Sequence, residues 1–158
     1  MSVNFNGPFY LMRAVIPHFL SKPGGPAQGS GSSTQLPPHK GSIVNICSFA
    51  STSGAAAGAA YTASKHALLG LSRSTAWMYR QDGVSCNVIF PGGVRTNIMG
   101  NSGTQNLEMQ GAKALKPAHD AMPAAVMPED VARTIVFLAG ANGVNGAEVA
   151  VDQGWRTM

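Results

Sequence analysis

The spacing of apolar positions changes several times along the chain, and each change marks an element. From Val3 to Leu20 they recur at helical spacing (Phe9, Met12, Ile16, Leu20), which predicts a first helix. Pro8 suits its first turn, whereas Pro17 implies a bend or a loosened hydrogen bond. Residues 22–40 are rich in Gly, Pro and Ser and read as a flexible surface connection. "GSIVNIC" then forms a short, almost wholly apolar strand, the kind buried on both faces of a parallel sheet. A helix containing "AAYTASKHALLGLS" follows and stops at Asp82-Gly83. "VSCNVIF" is a second buried strand, ended by Pro91-Gly92. After a long irregular segment, "MPEDVARTIVFLAG" starts a helix with Pro128 in its first turn. Glu129 and Asp130 sit at the positive end of that helix's dipole. "AEVAV" is a final strand.

Strand, helix, strand, helix, strand is the βαβ pattern of a doubly wound α/β sheet. Active sites in such sheets lie outside the carboxyl ends of the strands. That rule singles out Ser48, after the first strand, and "PGGVRT", after the second. The 158 residues suffice for one domain with a real core. Charged residues are only 11%, against the roughly 25% usual for soluble domains, so part of the surface is expected to meet a partner.

Charge narrows the classes further. The net charge is +4, and residues 1–81 carry six basic side chains and no acidic one. These bases stand singly, without interleaved aromatics, which argues against nucleic-acid binding. The uncharged stretch from Gly41 to Ser64 is too rich in Ser, Thr, Asn and Gly for a membrane span. Cys47 and Cys86 each lie in an apolar run and read as buried free thiols of a reducing, cytoplasmic compartment. No signal peptide is expected. His18, His39, His66 and His119 lack metal-ligand spacing. Ser48 has no histidine at credible distance and no Gly-x-Ser-x-Gly turn, which weakens a hydrolase reading.

The candidate chemistry is a pair. Tyr61 and Lys65 are four apart and share a helix face. By itself the pair suits an ordinary amphipathic helix with a snorkelling lysine, and by itself that reading prevails. Its surroundings change the balance, because Ser48 lies at a strand end and Asn4 opens the first helix. A free tyrosine titrates near 10. An ammonium about 5 Å away, at an effective dielectric near 20, favours the phenolate by on the order of 3 kcal/mol. Lys65 would thus make the Tyr61 phenol a usable acid and base. Ser48 would hold the reacting oxygen, and Asn4 would fix a water linking Lys65 to solvent.

"VNFNG", "NICSFAS", "YTASKHALLGLS", "CNVIFPGGVRTNIM" and "GAEVAVDQG", in this order, resemble the short-chain dehydrogenase/reductase family over nearly the whole chain. The resemblance implies the C-terminal part of a Rossmann-type parallel sheet, residues 1–158 forming one partial domain that lacks the first strands. Asn4, Ser48, Tyr61 and Lys65 fall where that family keeps its catalytic tetrad. Tyr61, Lys65, Pro91, Gly92, Val94 and Thr96 would then contact a nicotinamide cofactor, NADP ahead of NAD. The implied reaction interconverts a carbonyl and a secondary alcohol on a small or medium apolar substrate, in biosynthetic or secondary metabolism. The helices holding Asn4 and Tyr61 would pair two copies into a homo-oligomer. Residues 97–127 fall where the family carries its substrate lid, and Met99, Leu107, Met109, Met122 and Met127 suit either an adaptable apolar pocket or simple packing.

Two departures stand out. Gln153 replaces a glycine of the family's last motif, which reads as harmless turn variation. The family's first half, with its glycine-rich dinucleotide turn, has no counterpart, and the glycines at 24, 25, 29 and 31 have the wrong spacing to restore it. The alternative reading is therefore a truncated, inactive fragment that acts at most as a pairing module.

Overall fold

The computed structural model describes residues 1–23, 36–97 and 108–157. Strands β1 (Gly41–Ile46), β2 (Val84–Pro91) and β3 (Glu148–Val151) lie side by side in that order, all parallel. Gly41 stands opposite Val84, and Val88 opposite Glu148. Parallel neighbours need long crossovers, and helices provide them. α2 (Ala59–Met78) joins β1 to β2, while α3 (Met109–Asp120) and α4 (Pro128–Gly140) lie between β2 and β3. α1 (Gly7–Ser21) precedes the sheet and is led in by a π-helical turn, Ser2–Asn6. This is the expected α/β architecture with a Rossmann-type parallel sheet. No helix among the described residues is long and apolar enough to cross a membrane.

Apolar side chains facing α1 and α2 make the core. Met12 and Ile16 of α1 meet Ile43, Ala76, Val84 and Cys86. Leu68 and Leu69 of α2 meet Cys47, Val88 and Phe90. α4 turns a Val131, Thr134, Ile135, Leu138 stripe inward, the spacing of one helix face, and Leu138 is fully buried. Polar groups inside this core are satisfied. Asn45 donates to Ser72 Oγ at 2.8 Å, and Asn87 clamps the turn before β3, donating to Val144 O (3.0 Å) and accepting from Ala147 N (2.9 Å). Each such pairing avoids the roughly 1–3 kcal/mol cost of a buried orphan.

The structure departs from the sequence reading at several points. Of the described strands only β2 is buried along both faces; β1 alternates, with Ser42 and Val44 half-buried and Ile46 exposed, because no described strand or helix covers that side fully. The segment expected to be irregular contains α3. Gly111 and Pro117 hide this helix in the sequence, and the Glu108 carboxylate starts it by accepting from the backbone N–H of Gln110 and Gly111. α2 ends at Met78, five residues before Gly83, because Tyr79 leaves helical geometry. Gly83 instead takes φ +76 at the start of β2, where Lys40 N donates to its carbonyl. α1 runs through Pro17 to Ser21. Most of the 22–40 connection, including the glycines at 24, 25, 29 and 31, lies outside the described residues, as do Met99 and Leu107.

Gln153 is not a neutral exchange. It holds φ +56, and among the described residues it is the one non-glycine with positive φ. The left-handed conformation costs a side-chain-bearing residue about 1–2 kcal/mol, partly offset because glycine loses about 0.4–1 kcal/mol more chain entropy on folding. Gln153→Gly is accordingly expected to raise the free energy of urea unfolding by about 0.5–1 kcal/mol. A loss of stability on this exchange would contradict the strain.

Candidate active site

β1 delivers its chain end to the site. Just past it, Ser48 adopts extended backbone (φ −165, ψ 164) and caps a single 3₁₀ turn, Phe49–Ser51. Its Oγ accepts from Ala50 N at 3.2 Å, and its own N–H donates to Ser51 Oγ at 3.1 Å. This reciprocal capping is what serine at a helix start does well. It leaves the hydroxyl proton of Ser48 free to donate elsewhere.

Tyr61 and Lys65 occupy the first turns of α2. The Lys65 Nζ lies 5.6 Å from the Tyr61 ring centroid and donates to Ile46 O at 2.8 Å. Lys65 is only 9% exposed, while Tyr61 is 40% exposed and open to the cleft. Burial lowers the Lys65 pKa from its ordinary value, and the neighbouring Cys47 opposes that shift. Burial also raises the Cys47 pKa, against a hydrogen bond from Ser51 and the charge of Lys65. Asn4 joins the group from the turn before α1. Its Nδ2 donates to Ser64 Oγ at 3.3 Å, and Ser64 Oγ donates to Tyr61 O at 2.7 Å.

The segment after β2 forms the other wall. A side chain at Gly92 would sit 2.8 Å from Asp152 Cβ and 2.9 Å from its Cα, so the close approach requires glycine. Beyond it the chain is stapled to the residues before α4: Val126 N donates to Gly93 O at 2.8 Å and Arg95 N to Val126 O at 3.0 Å.

A cleft of about 490 Å³ unites these parts. All the residues expected from the sequence line it: Asn4, Ser48, Tyr61, Lys65, Pro91, Gly92, Val94 and Thr96. Its volume suits a small-molecule site. Sequence reasoning missed four further lining residues, Ile46, Cys47, Pro128 and Val131. Ile46 and Cys47 were recoverable, since they immediately precede Ser48 at the strand end. Pro128 and Val131 carried a helix-start signal, but no local pattern says that this helix starts beside β1.

The stretch expected to carry a substrate lid, residues 97–127, is described at residue 97 and from residue 108 onward. Within 97–127, no described residue lines the cleft. α3 is moored instead to the body, with Trp155 Nε1 donating to Ala118 O at 3.0 Å and His119 Nε2 2.9 Å from Ala56 O. Met122 packs on Gly93.

Residues 1–156 match the sequence family described as enoyl-(acyl carrier protein) reductase. The chain belongs to this family of short-chain dehydrogenase/reductases. It is 38% identical to the short-chain dehydrogenase/reductase olcF of Penicillium canescens and 37% identical to cdmF of Talaromyces verruculosus. The alignments take in all of this chain but only 58% and 59% of those two relatives. A structure from Agrobacterium tumefaciens solved with bound NADP is similar over the whole chain and 57% of its own (29% identity, TM-score 0.70). A 4-hydroxyisoleucine dehydrogenase complexed with NADH is similar over 99% of this chain and 57% of its own (26% identity, TM-score 0.71).

The thiols beside and below the cleft yield a prediction. Cys47 and Cys86 are free and buried, and burial pushes Cys86 from 9.0 up to about 12. The unfolded thiol ionises first, so its contribution to stability is complete below pH 9.0 and is lost as pH rises toward about 12. Cys86→Ala should remove this contribution. Between pH 9 and pH 10, wild type is expected to lose about 1 kcal/mol more unfolding free energy than Cys86→Ala. Parallel pH profiles from urea melts would refute the assignment.

Proposed function

We propose that this cleft interconverts a carbonyl and a secondary alcohol with a nicotinamide cofactor, once the portion of the family's length absent from these 158 residues is supplied. The observation that carries the reading is the convergence of Ser48, Tyr61 and a buried Lys65 on one cleft at the strand ends. The cofactor, when bound, supplies or accepts the hydride. Everything else falls to side chains of this chain. Tyr61 gives a proton to the substrate oxygen during reduction and takes it back during oxidation. Ser48 donates its free hydroxyl proton to that oxygen and keeps it beside the phenol. The Lys65 ammonium stabilises the phenolate left behind. Asn4, held through Ser64, lines the route by which a water reaches Lys65.

The residues fit the nicotinamide end of such a cofactor. Pro91 and Gly92 offer backbone that a ligand can approach closely, Val94 an apolar contact, and Lys65 a donor for ribose hydroxyls. NADP is the favoured form, supported by the Agrobacterium structure; the NADH complex supports NAD as the alternative. No described residue forms a glycine-rich cradle for the pyrophosphate.

The apolar lining from Ile46, Pro91, Val94, Pro128 and Val131 favours a small or medium apolar substrate. A role in biosynthetic or secondary metabolism and a cytoplasmic location complete the reading. Exposed Tyr10 and Leu11 on α1, with Trp77 and Met78 on α2, offer an apolar surface for pairing two copies. The coverage of only 58% of a relative favours a second reading, an inactive fragment that retains only this pairing.

Two outcomes test the chemistry. The 158-residue chain alone should show no turnover with NADPH and a panel of ketones, because positioning the nicotinamide within reach of the substrate carbon needs hold on the rest of the cofactor. Turnover of several per second by this chain would contradict that. When the chain is fused behind the unmatched portion of olcF to give an active protein, Tyr61→Phe should abolish turnover and leave NADPH affinity nearly unchanged. Residual activity within tenfold of the parent would remove Tyr61 from the acid/base role.

A further inference from the structure

We infer that Asn142 is a self-modifying site, where the backbone nitrogen of Gly143 displaces the side-chain amide and a carboxylate replaces a neutral asparagine. The inference rests on local backbone chemistry and is independent of the proposed function.

The step needs no reagent but water. The Gly143 nitrogen attacks Cγ of Asn142. An N–Cγ bond forms, the Cγ–Nδ2 bond breaks, and the amide takes up the Gly143 proton and leaves as ammonia. Water then opens the five-membered succinimide at either carbonyl. One opening gives aspartate; the other gives isoaspartate, with the main chain rerouted through the side chain. No group is oxidised or reduced. The ring closure is an intramolecular attack, so it is fast only where nitrogen and carbonyl can reach one another. Glycine suits the attacking position because no Cβ shields its nitrogen or restricts its rotation.

Asparagine precedes glycine at three places, residues 6–7, 142–143 and 145–146. The fold locks two of them. Asn145 Nδ2 donates to Ala76 O at 2.9 Å, its Oδ1 accepts from Cys86 N at 2.9 Å, and Gly146 N donates to Cys86 O at 3.1 Å. Asn6 is held in helical backbone (φ −63, ψ −38), and the Gly7 N–H donates to Ser2 O. Asn142 is the contrast. It lies just past α4, and both it and Gly143 are exposed. Val144 N donates to Ala141 O at 3.1 Å, closing a turn with Asn142 and Gly143 as its central pair. Among the described residues, neither the Asn142 side chain nor the Gly143 N–H has a hydrogen-bond partner. Nothing need be broken before the attack.

The product has a receptive setting. Asn142 and Gly143 line a small pocket of about 80 Å³ together with His39 and Arg80. The Arg80 guanidinium stacks on Trp77 at 3.7 Å and donates to Trp77 O, and it keeps further N–H groups for a new carboxylate. This pocket is at the Val84 end of β2, whereas the cleft is at the Pro91 end, so the change leaves the cleft intact.

The test incubates the folded chain in slightly alkaline buffer and follows the three asparagines by peptide mass spectrometry, with fragmentation that separates Asn142 from Asn145. Asn142 should gain one mass unit at least about tenfold faster than Asn145 or Asn6, whose hydrogen bonds must first break. The product should contain isoaspartate, read by methyl transfer from an isoaspartate-specific methyltransferase. In concentrated urea the advantage of Asn142 should disappear. Gly143 has no positive φ, and an added Cβ would meet only Leu36 Cδ1 at 3.9 Å. Gly143→Ala should therefore keep the urea midpoint and slow conversion at Asn142 on the order of tenfold. Equal rates at the three sites of the folded chain overturn the inference. So does a Gly143→Ala chain that converts as fast as wild type, or aspartate formed without isoaspartate, which would mean direct hydrolysis rather than ring closure.

Discussion

The buried ammonium of Lys65 organises the site. It is nearly withdrawn from water, and a charge in that position is costly unless bonded. The carbonyl of Ile46, 2.8 Å away at the end of β1, provides the bond. That contact joins the first turns of α2 to the end of the central crossover's strand. It therefore sets where Tyr61 stands relative to Ser48, since Tyr61 is one helical turn before Lys65 and Ser48 is two residues after Ile46. The same ammonium lies 5.6 Å from the centroid of the Tyr61 ring.

The opposite wall is built with less charge and more backbone. Gly92 lies against Asp152, and residues 93–95 are stapled to Val126. Asp152 is buried and fully engaged, accepting from the N–H groups of Gly154 and Arg156. The turn after β3 thus supports the loop after β2, and the strained Gln153 sits inside that support. Strain is tolerable there because Asp152 on one side and the 3₁₀ turn Trp155–Thr157 on the other hold the backbone in place.

The sheet itself is lopsided in its protection. β2 is an interior strand and β3 a defended edge, whereas β1 has interior composition in an edge position. The aligned relatives are longer than this chain, which spans 58% and 59% of their lengths.

Much of this was legible from residues alone. Strand content was readable because β1 and β2 are short apolar runs, and α4 because Pro128, Glu129 and Asp130 mark a helix start. Strand-end geometry pointed to Ser48 and to the segment after β2, but the Tyr61 and Lys65 spacing alone suited an ordinary helix, and the set of candidate site residues came from the family resemblance. α3 was not, since its start depends on one capping carboxylate, and its interior contains Gly111 and Pro117, both weak helix formers. Nor was the end of α2, which tertiary packing places at Met78 rather than at the glycine. Local sequence determined β1, β2 and α4 and which side chains are candidates for the site. Only the tertiary structure decided that Pro128 and Val131 wall the cleft, that Ser64 holds Asn4, and that β1 lies at the edge of the described sheet, because each depends on contacts between residues far apart in the chain.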